Sequence, residues 1–229
     1  RFTAVPPSQM VAALKEGHID GFCVGEPWST LADQENVGQA VLSKSAIWPG
    51  CLEKVLGMRT DWAEAHPDIV DALIVSLDAA CAWCEAPENH NELAGILSQE
   101  EFVGTSAEAI GRSLSGNVIK ETSAAKTAFM SFHANAANIP WTAQSLWLYS
   151  QMVRWGHVAH SPQGVEVVKQ VYRPDIYARA LAASAPNLAH QMTPEKTDFF
   201  SGRFYDGHAF DPAEIEQYLS SLEVSAYSV

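Results

Sequence analysis

Residues Val5 to Trp28 read VPPSQMVAALKEGHIDGFCVGEPW. The prolines Pro6 and Pro7 open a helix expected over Ser8 to Glu16, with apolar Met10, Val11, Ala13 and Leu14 and a stop at Gly17. Ile19 to Val24 then reads as a strand. It is a nearly continuous apolar run broken by Gly21, which suits a strand buried on both faces better than a half-exposed, alternating one. Gly25, Glu26, Pro27 and Trp28 make the turn that follows. Working outward, a helix is expected from Trp28 to Gln34, a second strand near Ala40 to Leu42 and a third near Val55 to Met58. Helices alternating with short strands predict an α/β architecture for the first part of the chain.

From Thr60 onward the pattern turns helical. Thr60 is placed to cap a short turn over Asp61 to Ala65, and Pro67 sits at a first-turn position before Ile69, Leu73, Leu77, Ala80 and Cys84. That spacing predicts an amphipathic helix of about five turns. After the polar break EAPENHN at Glu85 to Asn91, further helices are expected over Glu92–Leu97, Ser106–Ser113, Ala124–Ala134, Trp141–Trp155, Val165–Gln170 and Pro174–Ala183. Ser184 to Pro212 has no period and is rich in Pro, Gly, Asn and aromatics, so it reads as an arm anchored by Phe199, Phe200, Phe204, Tyr205 and Phe210. Packing under that arm is the expected role of Trp147, Tyr149 and Trp155. A last helix over Pro212–Leu222 closes the chain, and no internal repeat appears.

Composition narrows the function classes. The chain has 229 residues, of which 47% are hydrophobic and 18% charged, a composition that buries a core and carries no membrane-spanning apolar run. With 14 Lys and Arg against 27 Asp and Glu the net charge is -13, the wrong sign for nucleic acid or anionic lipid. The 4 cysteines are too few for a disulfide scaffold and lean toward a reducing compartment. The chain opens on Arg1 with no visible signal peptide, which leaves localisation open: cytoplasmic or exported. Cys81 and Cys84 form a C-x-x-C late in a helix, where free core cysteines are a better reading than a zinc or redox pair. His157 and His160 lack a partnering carboxylate motif for a metal. No G-x-S-x-G, phosphate-cradling glycine loop or H-E-x-x-H is present, so no enzyme activity, metal or cofactor is expected.

The opening block resembles the second lobe of type II solute-binding proteins, where a helix ending in a Gly-x-Ile-Asp step feeds a strand whose end lines the ligand cleft. DGFCVGEPW, then IWPGCLEKVLGMRTDW from Ile47 to Trp62, RWG at Arg154 to Gly156, YRPDIY at Tyr172 to Tyr177 and FDP at Phe210 to Pro212 narrow the likeness to the nitrate- and nitrite-binding branch. The resemblance implies the later part of a two-lobed, periplasmic-binding-protein-like type II fold of α/β class with a helix-rich C-terminal portion. Residues 1–28 would end the second lobe and form the hinge strand, 29–183 would return to the first lobe, and 184–229 would make the C-terminal arm and short helix.

The resemblance also implies a site. Its residues here are Pro7, Gly25 and Lys54, with further ligands from an earlier part of the protein. Nitrate is planar, unprotonated at neutral pH and offers only acceptor oxygens, so it needs converging donors. A backbone N–H made approachable at Gly25 and the ammonium of Lys54 supply them. Each reading has a plainer rival: Gly25 as a turn glycine before Pro27, Lys54 as a solvated surface charge. Bicarbonate-binding relatives resemble the sequence closely but carry an acid at the lysine position, so Lys54 favours nitrate or nitrite. The residues before it, Gly50, Cys51, Leu52 and Glu53, lack the histidine and proline of the transporter pattern, and Glu53 is expected to neutralise part of its charge. The implied role is the solute-binding component of a nitrate ABC transport system, partnered by the transporter permease and periplasmic or membrane-anchored. The alternatives are a cytoplasmic nitrate sensor acting on an antiterminator, favoured by the free cysteines, and a bicarbonate-binding relative or ligand-free fragment. An enzyme of the same fold, such as a thiamine-precursor synthase, would need a cysteine-rich motif that is absent.

Overall fold

Prolines, glycines and capping hydroxyls cut this chain into short helices. The computed structural model describes residues 2–48, 52–116, 118, 130–186, 204 and 206–222. In chain order the α-helices are α1 Met10–Lys15, α2 Trp28–Gln34, α3 Lys44–Ile47, α4 Thr60–Ala65, α5 Pro67–Glu85, α6 His90–Leu97, α7 Ala107–Leu114, α8 Thr142–Arg154, α9 Pro162–Lys169, α10 Pro174–Ala180 and α11 Ile215–Ser221. Gly17 ends α1 as expected: its φ of 74° lets the His18 N–H reach the Ala13 carbonyl at 2.9 Å. Ser106 caps α7 by accepting from the Ala109 N–H at 3.3 Å, and Ser161 caps α9 by accepting from the Gly164 N–H at 3.0 Å. Thr60, expected as a cap, is instead the first residue of α4; Asp61 takes the Trp62 N–H at 2.9 Å in its place.

The chain divides into two compact units that interleave in sequence. The first holds residues 1–46 and 81–134. Within it α1 packs on α2, α2 on α7 and α7 on α6. Val11, Ala32, Leu93, Ala94, Ala109 and Ile110 form its buried apolar positions. Small side chains at Ala94 and Ala109 let α6 and α7 approach closely.

The second unit holds residues 47–80 and 135–229. Its core joins Leu146, Tyr149 and Val153 of α8, Val165 of α9, and Ile215, Tyr218 and Leu219 of α11, with Leu222 just beyond. Each such side chain removed from water contributes about 1.5–3 kcal/mol. Trp48 stacks on Trp147 with ring centroids 4.0 Å apart, and Phe204 meets Trp147 edge-on at 5.3 Å. The buried Arg154 guanidinium pairs with Asp206, and Gln151 links to the Tyr218 hydroxyl at 3.0 Å.

Several expectations are corrected. The segments read as strands, Ile19–Val24, Ala40–Leu42 and Val55–Met58, run without helix and without ladder pairing among the described residues. An extended segment becomes a strand only when a neighbouring backbone takes up its N–H and C=O groups. No backbone among the described residues does so, and Leu42, Val55 and Leu56 are exposed. The regular elements among the described residues are all helical. Helix α5 has the expected length, yet its stripe Ile69, Leu73 and Leu77 is 48%, 38% and 45% exposed, while Val70 one position along is buried. Trp155 is exposed and carries the Arg154 guanidinium 5.3 Å above its ring, so it does not join Trp147 and Tyr149. Of the helix expected over Ala124–Ala134, residues 124–129 lie outside the described residues, and 130–133 are not helical. Of the arm, Phe199, Phe200 and Tyr205 lie outside them too, whereas Phe204 packs as above and Phe210 meets Tyr218 edge-on at 5.0 Å.

Candidate functional site

The corner from Gly25 to Thr30 is where local sequence and tertiary packing meet. Residues 21–25 are irregular, the Glu26–Pro27 peptide is cis, and α2 starts at Trp28. Gly25 is exposed, and a Cβ built on it would meet nothing within 4 Å. Its φ is not among the positive ones in the chain, so the backbone there does not require glycine. What glycine leaves at this corner is open space on its side-chain side.

The next residue is anchored in the opposite sense. Glu26 Oε2 accepts from the Thr30 N–H at 3.1 Å and from the Thr30 hydroxyl at 2.8 Å. Ser113 of α7 brings its hydroxyl within 3.1 Å of the same oxygen, 2.9 Å of Thr30 Oγ1 and 2.9 Å of the Ala109 carbonyl. Thr30 is 0% and Ser113 2% exposed, so neither hydroxyl has water as an alternative partner. A second tie joins the same helices, Arg112 of α7 to Asp33 of α2 at 2.7 Å. The four-residue spacing of Glu26 and Thr30 was readable in the sequence. Ser113, 87 positions after Glu26, gave no local signal and enters only through packing of α7 on α2.

Pro7 opens a 3₁₀ turn over Pro7–Gln9 ahead of α1 and is exposed, in the same unit as Gly25. Lys54 belongs to the other unit. Its side chain is 91% exposed and its Nζ lies 2.8 Å from Oε2 of Glu53. The neutralising neighbour expected from the sequence is therefore in contact, though at that exposure the pair holds little energy and is readily exchanged for another partner.

Other polar clusters serve structure. Glu85 at the end of α5 accepts the Phe132 and His133 N–H groups, the latter at 2.9 Å. Burial alone would raise its carboxyl, but the N–H groups of His133, Phe132 and Ala134 and the nearby His133 ring hold it below its ordinary value. Cys81 and Cys84 are free thiols, and burial, with Cys81 adding to it, pushes Cys84 upward, away from a reactive thiolate. His160 Nε2 lies 2.8 Å from the Glu216 carboxylate and its Nδ1 3.2 Å from the Tyr149 hydroxyl, a bridge from the α8–α9 connection to α11. Among the described residues no group of His, Cys, Asp or Glu is arranged to hold a metal ion. Nor is any helix among them long and apolar enough to cross a membrane.

Comparison with known proteins gives a consistent picture. Residues 1–98 match the NMT1-like family. The nitrate/nitrite binding protein NrtA of Nostoc sp. is 32% identical over 224 residues, covering 96% of this chain and 50% of that protein. The bicarbonate transport ATP-binding protein CmpC of Synechococcus elongatus is 34% identical over 223 residues, covering 96% of this chain but 32% of CmpC. The crystal structure of the periplasmic nitrate-binding protein NrtA from Synechocystis matches with a TM-score of 0.82 at 31% identity, over 96% of this chain and 58% of that one. The chain thus spans about half the length of the nitrate-binding relatives it matches and about a third of the ATP-binding one. These relatives are nitrate/nitrite-binding proteins and a bicarbonate transport component.

Proposed function

Since this chain belongs, over the stretch it spans, to the NrtA-like, NMT1-like family of solute-binding proteins, we propose that it captures nitrate or nitrite for an ABC transport system. The observation that carries the reading is Gly25: an exposed glycine with open space before it and no conformational need to be glycine. A backbone N–H at such a glycine would be a donor for an acceptor-only anion. Lys54 adds a mobile ammonium, and Pro7 stands beside the first helical turn as the third implied contact. A hydrogen bond from an ionised donor contributes roughly 1.5–3 kcal/mol, so Lys54 is assigned the largest share this chain supplies.

A bicarbonate reading has its own support in the similarity to CmpC. Bicarbonate carries a proton that needs an acceptor, and Lys54 offers only donors. Nitrate and nitrite have no such proton, which makes them the better fit. Closure on the ligand would present the transporter permease with a distinct conformation, a population shift set by differential affinity.

Calorimetric titration with nitrate, nitrite and bicarbonate tests the proposal. Nitrate or nitrite should bind in preference to bicarbonate, and Lys54→Glu should abolish nitrate binding while leaving the helical circular dichroism unchanged. Unaltered nitrate affinity in Lys54→Glu would remove the lysine from the site. Binding of bicarbonate alone would overturn the nitrate assignment.

A further inference from the structure

An acid immediately after an anion-facing glycine is an electrostatic liability, and the structure contains the means of containing it. We propose that Thr30 and Ser113 form a clasp that draws the Glu26 carboxylate into the seam between α2 and α7, and that both are positioning residues for anion capture at Gly25. This inference rests on the reading of Gly25 as an anion-binding residue.

The geometry is built for that task. A carboxylate is acceptor-only and is held wherever donors converge. Here the Thr30 N–H, the Thr30 hydroxyl and the Ser113 hydroxyl lie 3.1, 2.8 and 3.1 Å from one oxygen, Glu26 Oε2. Two donors come from the first turn of α2; the Ser113 hydroxyl of α7 has a single proton shared among Glu26 Oε2, Thr30 Oγ1 and the Ala109 carbonyl, and through it the carboxylate is tied to the packing of α7 on α2 as well as to its own turn. The Arg112–Asp33 pair at 2.7 Å holds the same two helices together about one turn further along α2. With the donors removed, the carboxylate loses its hold in the seam and water becomes its best partner. A solvated negative charge one residue from the anion contact then repels the guest.

The clasp gives a prediction that mere destabilisation does not. Thr30→Val with Ser113→Ala should weaken nitrate binding about tenfold, which is ~1.4 kcal/mol. Adding Glu26→Gln should recover most of the loss, because the amide left behind is neutral. The experiment is calorimetric titration of nitrate into the full-length protein, unsubstituted and as Ser113→Ala, the Thr30→Val/Ser113→Ala pair and the triple variant, each checked for helical circular dichroism. Where the double variant fails to fold, Ser113→Ala with and without Glu26→Gln makes the same comparison at a smaller, several-fold effect. Affinity unchanged by the substitutions, or a loss that Glu26→Gln does not relieve, overturns the clasp and leaves the anion reading standing. No nitrate binding by the unsubstituted full-length protein overturns both.

Discussion

Gly25 has backbone angles that an alanine can adopt, and the space beside it is open. Gly25→Ala therefore tests approach separately from folding. Reducing the freedom of the unfolded chain at a compatible position stabilises by about 0.4–1 kcal/mol, so the thermal midpoint should hold or rise slightly. Nitrate affinity should fall at least tenfold, because the new methyl occupies the path to the N–H. A variant that binds as well as its parent would return Gly25 to the status of a turn residue. Glu85 carries a second prediction at this scale. Its carboxyl is held below its ordinary value in the folded chain, so the unfolded chain binds more protons as the pH falls through the ordinary glutamate range of about 4.3. The stabilisation is present above that range and is lost as the pH drops through the depressed folded value. Glu85→Gln should destabilise by about 1–2 kcal/mol at neutral pH. Its urea-unfolding free energy should also fall less steeply than the parent's below about pH 4.3. Parallel pH profiles for the two proteins would show that the N–H groups around residue 133 do not depend on that charge.

At the level of elements, what could be read in advance was what short-range chemistry controls. Gly17 ended α1, Ser106 preceded α7, and Pro67, Pro174 and Pro212 opened helical segments, because capping and φ restriction act within one turn. Two kinds of feature were not legible. Strand identity depends on a partner backbone, and the apolar run Ile19–Val24 reads the same whether or not one is there. The direction in which a helix faces depends on its neighbours, so the stripe Ile69, Leu73 and Leu77 fitted a core pattern and is nonetheless exposed. For the candidate site, Gly25, Lys54 and Pro7 entered through a resemblance carried by local motifs, whereas Ser113 entered only through the packing of α7 on α2. Element packing predicts a contrast in stability. Trp147→Ala removes the ring on which Trp48 and Phe204 pack and should cost about 3–5 kcal/mol in urea unfolding. Leu73→Ala on the exposed stripe of α5 should change stability by no more than about 0.5 kcal/mol. A loss at Leu73 comparable to that at Trp147 would mean that the stripe is covered in the protein in solution.

Across the whole molecule, the proposed capture of an anion runs against a net charge of -13. At ~15 Å in water each excess charge opposes a nitrate by about 0.3 kcal/mol before screening, and thirteen of them sum to a few kcal/mol. Contact donors act over ~3 Å, well inside any Debye length, whereas the diffuse repulsion acts over distances that salt shortens from about 30 Å at 0.01 M to 10 Å at 0.1 M. Added inert salt therefore weakens the opposing field far more than it weakens the contacts. Nitrate affinity should rise several-fold between 0.01 and 0.1 M of a salt whose anion does not itself bind, such as gluconate. Isothermal titration at the two ionic strengths measures this directly. The opposite trend, affinity falling as salt is added, would mean that the field at the site is positive over tens of ångströms. In that case capture would rest on many cations acting at long range rather than on the local donors at Gly25 and Lys54.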